Sequence, residues 1–354
     1  MTATTAPDRA PQGTPGRTPD RLAARARGWF AGPAARALAY RYAAVLVIVL
    51  VIVFFAVVND NFLTYKNMID IVRSVSVSAF LALGVTFSLV VDGFDVSIGS
   101  VASLATIGAA AAMVYHRQEL LVALLVPLVL GALVGLVNSF LIVKLRLPDL
   151  LATLAMLFVV NGIQLTYTNG FSIYPGVATS NGPAPGIVVP SFLFIGQGDV
   201  LGVPFAVILL LAVVVVAHLF LTRTTTGRHM SMVGGNAEAA RHFGLPVGRL
   251  KTYAYVLSGV LAAIGGIVLT ARIGSGQVSA GAPMLMDAVA AAYVGYAIFG
   301  QKRPSVVGTL LGALLIGVLL NGLTMMNVPY YAQDIVKGGV FVVALTFAFL
   351  RKER

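Results

Sequence analysis

Five side chains able to exchange hydrogen bonds with a solute, Asp95, Asn138, Asn161, Gln164 and Asn321, stand in text that is otherwise almost wholly apolar. Four are amides, which offer donors and acceptors together and so suit neutral, hydroxyl-rich molecules. An anionic solute would call for Arg or Lys within the same apolar runs, and a cationic one for Asp or Glu. A lone intramembrane amide more often ties two helices than lines a path, and Gly131, Gly135 and Gly162 nearby favour tying. As a set the amides are the candidates for a solute path. Asp92, Asp95 and Ser97 lie at a break between two apolar runs. There Asp95 is read first as a cap for the following helix, with substrate contact as the alternative.

Covalent chemistry finds no foothold, and no catalytic residue is expected. The chain has no Gly-Lys pair and therefore no GxxxxGK[ST] phosphate loop. GQGDVLG at 196–202 has the wrong spacing for a dinucleotide loop and reads as a turn. His116, His218, His229 and His242 form no HExxH pattern, GxSxG is missing, and cysteine is absent, so no metal site is expected. Energy for any transport has to come from a partner or from an ion gradient.

The elements that must position these residues follow from composition. The chain is 58% hydrophobic and 10% charged, with repeated apolar runs long enough to cross a bilayer as helices. The runs fall at 42–58, 75–91, 98–114, 120–143, 150–167, 201–221, 253–269, 284–299, 306–325 and 335–350. This predicts an all-α polytopic membrane protein of about ten transmembrane helices. With the N-terminus inside, 19 of the 24 Lys and Arg fall on the cytoplasmic side; outside the first 41 residues the ratio is still 12 to 5. The bias places both termini in the cytoplasm and accounts for the net charge of +11 without nucleic acid. Residues 1–41, rich in Pro, Thr, Gly and Arg without apolar periodicity, read as a disordered basic cytoplasmic tail. Residues 42–350 form the transmembrane domain and 351–354 a cytoplasmic end.

One polar stretch, VGGNAEAARHFGLPVGR at 233–249, sits in the longest inner loop. Asn236 suits an N-cap, Glu238 the first turn, Gly244 the C′ position, and Pro246 blocks continuation. The prediction is a helix over about 236–243, roughly 10 Å long, too short to be stable alone in water. It rests either on its own protein's inner surface or on a partner.

From this stretch onward, VGGNAEAARHFGLPVGRLKTYAYVLSGVLAAIGGIVLTARIGSGQVSAG resembles the ribose-type permeases of ABC importers, which carry monosaccharides and related small polyols. TFSLVVDGFDVSIGSVASLA, LPDLLATLAMLFVVNGIQLTYTNG, RTTTGRHMSMVGGN and VVGTLLGALLIGVLLNGL agree in order, so the resemblance runs over roughly 61–350. It implies that Gly235, Asn236, Glu238, Ala239, Ala240 and Arg241 form a coupling helix that docks on an ATPase subunit. It also implies a second permease subunit, identical or homologous, an extracytoplasmic solute-binding protein, and ATP used by the partner, with no cofactor on this chain. The location implied is a bacterial-type plasma (inner) membrane, in contact with its lipid. The chain departs from the family pattern at Asp92-Gly93, where many relatives have Gly-Gly, and at Leu285, Met286 and Asp287.

LGAL at 130–133 and at 311–314 stand at equal distances before Pro148 and Pro329, in units that cross the membrane in opposite directions. That is the form of an inverted-topology repeat, and the GxxxG pairs Gly131/Gly135 and Gly308/Gly312 within it read as helix-packing positions. With the resemblance included, the sequence reads as the permease subunit of an ATP-driven importer for a neutral monosaccharide or related small polyol. An ion-driven secondary transporter is the first alternative and a non-transporting membrane scaffold the second.

Overall fold

The computed structural model describes residues 33–180, 182–298 and 303–352. The tail reading for residues 1–32 and the last two residues of the expected cytoplasmic end lie outside them. Among the described residues thirteen α-helices follow one another: α1 Pro33–Val58, α2 Tyr65–Val90, α3 Ile98–Val114, α4 Leu120–Ser139, α5 Asp149–Thr168, α6 Pro190–Gln197, α7 Phe205–Arg223, α8 Thr225–Gly235, α9 Ala237–His242, α10 Val247–Ile273, α11 Gly281–Ile298, α12 Val306–Met325 and α13 Tyr330–Lys352. Each of the ten apolar runs overlaps one of them. The first helix begins at Pro33, inside the segment read as tail. Six helices, α2, α4 with its extension, α5, α7, α10 and α12, are long and apolar enough to cross a membrane, and Val45–Val58 and Ile98–Val114 are shorter apolar stretches.

Helices α2, α3 and α10 make the centre. Every residue of α3 is buried, and α10 packs along α2, α3 and α4. Such contact needs small residues, because membrane helices associate through close backbone packing rather than through a hydrophobic gain over lipid. A Cβ on Gly131 would lie 2.4 Å from the Gly259 carbonyl oxygen, and one on Gly135 2.4 Å from that of Tyr255. Gly308 and Gly312 of α12 pack instead against Gly295 and Ala291 of α11. The two GxxxG pairs are helix-packing positions with different kinds of partner.

Hydroxyls are numerous in α2, α3 and α10, yet these helices stay compatible with an apolar setting. Thr86 donates to Ala82 O at 2.8 Å, Ser88 to Val85 O at 2.8 Å and Thr270 to Gly266 O at 2.9 Å, so each is satisfied within its own helix. The peripheral helices α4, α5 and α7 show apolar side chains such as Leu133, Phe158 and Val216 to the surroundings. α4 ends in a π turn over Phe140–Lys144, where the Leu145 N–H reaches back to Phe140 O at 3.2 Å.

The segment after α5 folds over the ends of α3 and α10. Ile173 and Gly276 exchange two backbone hydrogen bonds of 2.8 Å, the Gly186 N–H bonds Val114 O at 2.9 Å, and Ile173 and Phe192 are fully buried. In GQGDVLG, Gly196 and Gln197 close α6 and the rest is the expected turn: Asp199–Val200 pairs with Val203–Pro204, while Leu201 and Gly202 take φ of +52° and +81°.

Candidate functional site

The polar stretch at 233–249 is a built unit of two short helices leading into α10. Thr224 starts α8 by accepting from the Gly227 N–H at 3.0 Å. Asn236 starts α9 the same way, its Oδ1 accepting from the Ala239 N–H at 2.8 Å. At the other end Gly244 has φ +77°, its N–H bonds Arg241 O at 2.9 Å, and the Leu245 N–H reaches Ala240 O at 3.0 Å. This closes α9 as a Schellman motif with no slack before α10. Only Ala240 of α9 is buried, whereas Glu238, Arg241 and His242 are exposed and Phe243 is 86% exposed. Glu238 and Arg241 form no ion pair with each other among the described residues. Their charges are available to something else.

Directly above, the turn between α2 and α3 is held from several sides. Gly234, near the end of α8, sits where a Cβ would be 2.0 Å from Val90 O. Thr153 of α5 donates to Phe94 O at 3.1 Å. Asp95 is buried, with Oδ1 accepting from the Ser97 N–H at 3.0 Å and the Ser97 hydroxyl at 2.6 Å, and Oδ2 accepting from the Ser258 hydroxyl of α10 at 2.8 Å. The expected cap on α3 is thus corrected. Ser97 is the N-cap residue, and Asp95, two residues earlier, makes an Asx turn instead of reaching the free N–H groups of the first helical turn. Asn138 of α4 joins the cluster by donating to Ser97 Oγ at 2.8 Å.

A second set, which the sequence reading did not single out, lies beside the first. Asp149 opens α5, and its Oδ2 accepts from the Tyr255 hydroxyl at 2.7 Å and from Lys251 Nζ at 3.3 Å. The signal was present, since Lys251, Tyr255 and Ser258 recur at the i, i+4, i+7 spacing of one helix face.

The remaining candidates are dispersed. Asn161 accepts from Gln164 within α5, and Gln164 is fully buried. Asn321 of α12 and Asn67 of α2 pair through both amides at 2.9 and 3.1 Å. Such bonds between membrane helices average about 0.6 kcal/mol, so this pair fixes register more than it adds stability. Asn321 also lines a cavity of about 270 Å³ between α2, α11 and α12, together with Ser74, Ser78, Asp287 and Thr324. Asp287 is ion-paired there with Lys337 Nζ at 3.1 Å. The structure brings Asp95 and Asn138 together through Ser97, places Asn321 at this cavity, and leaves Asn161 and Gln164 paired with each other.

Residues 67–345 match the family model described as branched-chain amino acid transport system / permease component. The ribose import permease protein of Escherichia coli strain K12 is 35% identical over 302 residues, covering 85% of this chain and 90% of the relative. That of Bacillus subtilis strain 168 is 33% identical over 296 residues, 84% and 88% of the two chains. The xylose transport system permease protein of Haemophilus influenzae is 32% identical over an alignment of 355 positions, 86% and 94%.

Proposed function

We propose, from the premise that this chain belongs to the ribose-type permease family of ABC importers, that it is the membrane subunit of an ATP-driven importer for a neutral monosaccharide or related small polyol. The observation that carries the reading is the unit α8–α9–α10. A capped helix with Glu238, Arg241 and Phe243 exposed is tied without slack to the central helix of the bundle. A partner ATPase that hydrolyses ATP would seat on α9, and closure of that partner would reach the bundle through α10. This chain itself holds no cofactor in this reading. A second permease subunit and an extracytoplasmic solute-binding protein complete the assembly in a bacterial-type inner membrane.

Ten spans with both termini cytoplasmic fit this role, supported by the helices that overlap all ten runs and by the basic bias of the inner loops. Packing also supports an inverted repeat. α3 pairs with α4 as α11 pairs with α12, and α4 packs on α10 as α12 packs on α2, the pattern expected when α2–α5 and α10–α13 exchange roles. Because the chain contains no cysteine, a single Cys at Ser180 or at Glu238 can be labelled cleanly in intact cells. An impermeant reagent should modify position 180 and spare 238. The reverse result would overturn the topology.

The substrate class follows from side-chain chemistry. The family description names amino acids, whereas the quoted relatives are named for ribose and xylose. Apart from Asp95, whose two carboxylate oxygens are taken up by Ser97 and Ser258, the polar groups toward the centre here are amides and hydroxyls, and Asp287 is ion-paired with Lys337. Hydroxyl-rich neutral solutes fit that set better than a zwitterion, which would need two separate free charges. Reconstituted complex should accumulate radiolabelled neutral sugars and leave leucine outside. Transport of amino acids or organic anions with none of any sugar would sink this assignment.

A further inference from the structure

We infer that the face of α10 bearing Lys251, Tyr255 and Ser258 is a relay that passes movement of α9 to the α2–α3 turn, to α5 and to α4, with Tyr255 as its central positioning residue. The inference rests on the docking role proposed above for α9.

Three observations carry it. First, the three residues form one stripe on a single helix that begins immediately after α9, and each end of the stripe holds a different neighbour. Lys251 and Tyr255 meet the carboxylate that opens α5, while Ser258 meets Asp95 in the turn. Second, the turn is pressed onto the stripe with no room to slide. A Cβ on Gly93 would lie 2.5 Å from the Tyr255 hydroxyl and 2.7 Å from Asp149 Oδ2. Third, the grip is double. Gly234 of α8 abuts Val90 from one side of α9, and Tyr255 and Ser258 of α10 hold the same turn from the other.

The physical consequence is directional. Tyr255, Ser258, Asp95 and Asn138 are fully or almost fully buried, so a shift of α10 either carries its hydrogen-bonded partners along or leaves polar groups unpaired, which costs more than the bond itself contributes. Movement therefore passes on: from α10 to Asp149 and α5, and from Ser258 through Asp95 and Ser97 to Asn138 of α4. Loss of the Tyr255 hydroxyl alone should leave α10 packed but joined to Asp149 of α5 by the longer, half-buried Lys251 ion pair only, so that the two helices separate more readily.

The test uses the full complex of permease, ATPase and solute-binding protein in proteoliposomes. In Tyr255→Phe the ratio of binding-protein-stimulated to basal ATP hydrolysis should fall roughly fivefold or more. Ser258→Ala, a second variant should the first assemble poorly, should fall in the same direction. Thr86→Val, which removes the buried Thr86–Thr309 contact between α2 and α12 away from the stripe, should keep the wild-type ratio. Spin labels at positions 150 and 249 report the relay directly. Their separation should stay constant on ATP trapping in the wild type and split into two populations in Tyr255→Phe. A wild-type ratio and a constant separation in both stripe variants would discard the relay, as would an equal fall in Thr86→Val. If Glu238 and Arg241 variants still lose stimulation in that case, the docking role of α9 stands without it. If they too behave as wild type, the docking role itself is lost.

Discussion

Alanine at both Glu238 and Arg241 cuts solute uptake and binding-protein-stimulated ATP hydrolysis by roughly tenfold or more, the scale of a lost coupling free energy between two sites. Expression and membrane insertion stay near wild type. The expectation follows from what the two side chains do in the free subunit, which is very little. Both are exposed, neither pairs with the other, and α9 is held by the Asn236 cap, by buried Ala240 and by the Schellman closure at Gly244. Removing them therefore spares the fold and removes only what a partner would contact. The measurement is uptake beside stimulated hydrolysis in reconstituted complex, with pull-down of the ATPase as a check on docking. Unchanged uptake would return α9 to an interfacial helix resting on its own protein. Asn236→Ala probes the other side of the distinction, since losing an N-cap costs about 1 kcal/mol of helix stability and should weaken docking by loosening the helix.

The second large effect lies in the α4–α10 contact. Gly131→Ala combined with Gly135→Ala should remove most of the monodisperse protein recovered in detergent. Each new methyl would stand 2.4 Å from a carbonyl oxygen of α10, and those atoms belong to backbone that cannot rotate aside. Overpacking of this kind costs about 1–3 kcal/mol per site, and two sites on one interface consume a large part of the 5–15 kcal/mol that roughly bounds the stability of a domain. Gly162→Ala on α5 is the control. Nothing lies within 4 Å of its would-be Cβ, and alanine is the better helix former, so yield and melting temperature should hold or rise. Size-exclusion profiles and thermal melts read both. A double variant as monodisperse and stable as wild type would mean that α4 and α10 do not approach as closely as described.

Class and local structure were determined by the sequence alone. Apolar runs of bilayer length located the helices, because a chain in lipid must satisfy its backbone within each span. Asn236, Gly244 and Pro246 located α9, and GQGDVLG located a turn, because caps and turns depend on side chains that act within a few residues. Which polar group meets which was decided only by the tertiary structure. Asn321 finds Asn67 at a separation of 254 residues, Tyr255 finds Asp149 at 106, and Ser258 finds Asp95 at 163. The reason is that most of these helices are apolar on every side. The alternation of apolar and polar faces that marks the inward side of a helix in water is missing when lipid outside is as apolar as the core. Periodicity then cannot orient a span, and the orientation is set by where glycines let two backbones touch, which is a property of the pair and not of either sequence segment.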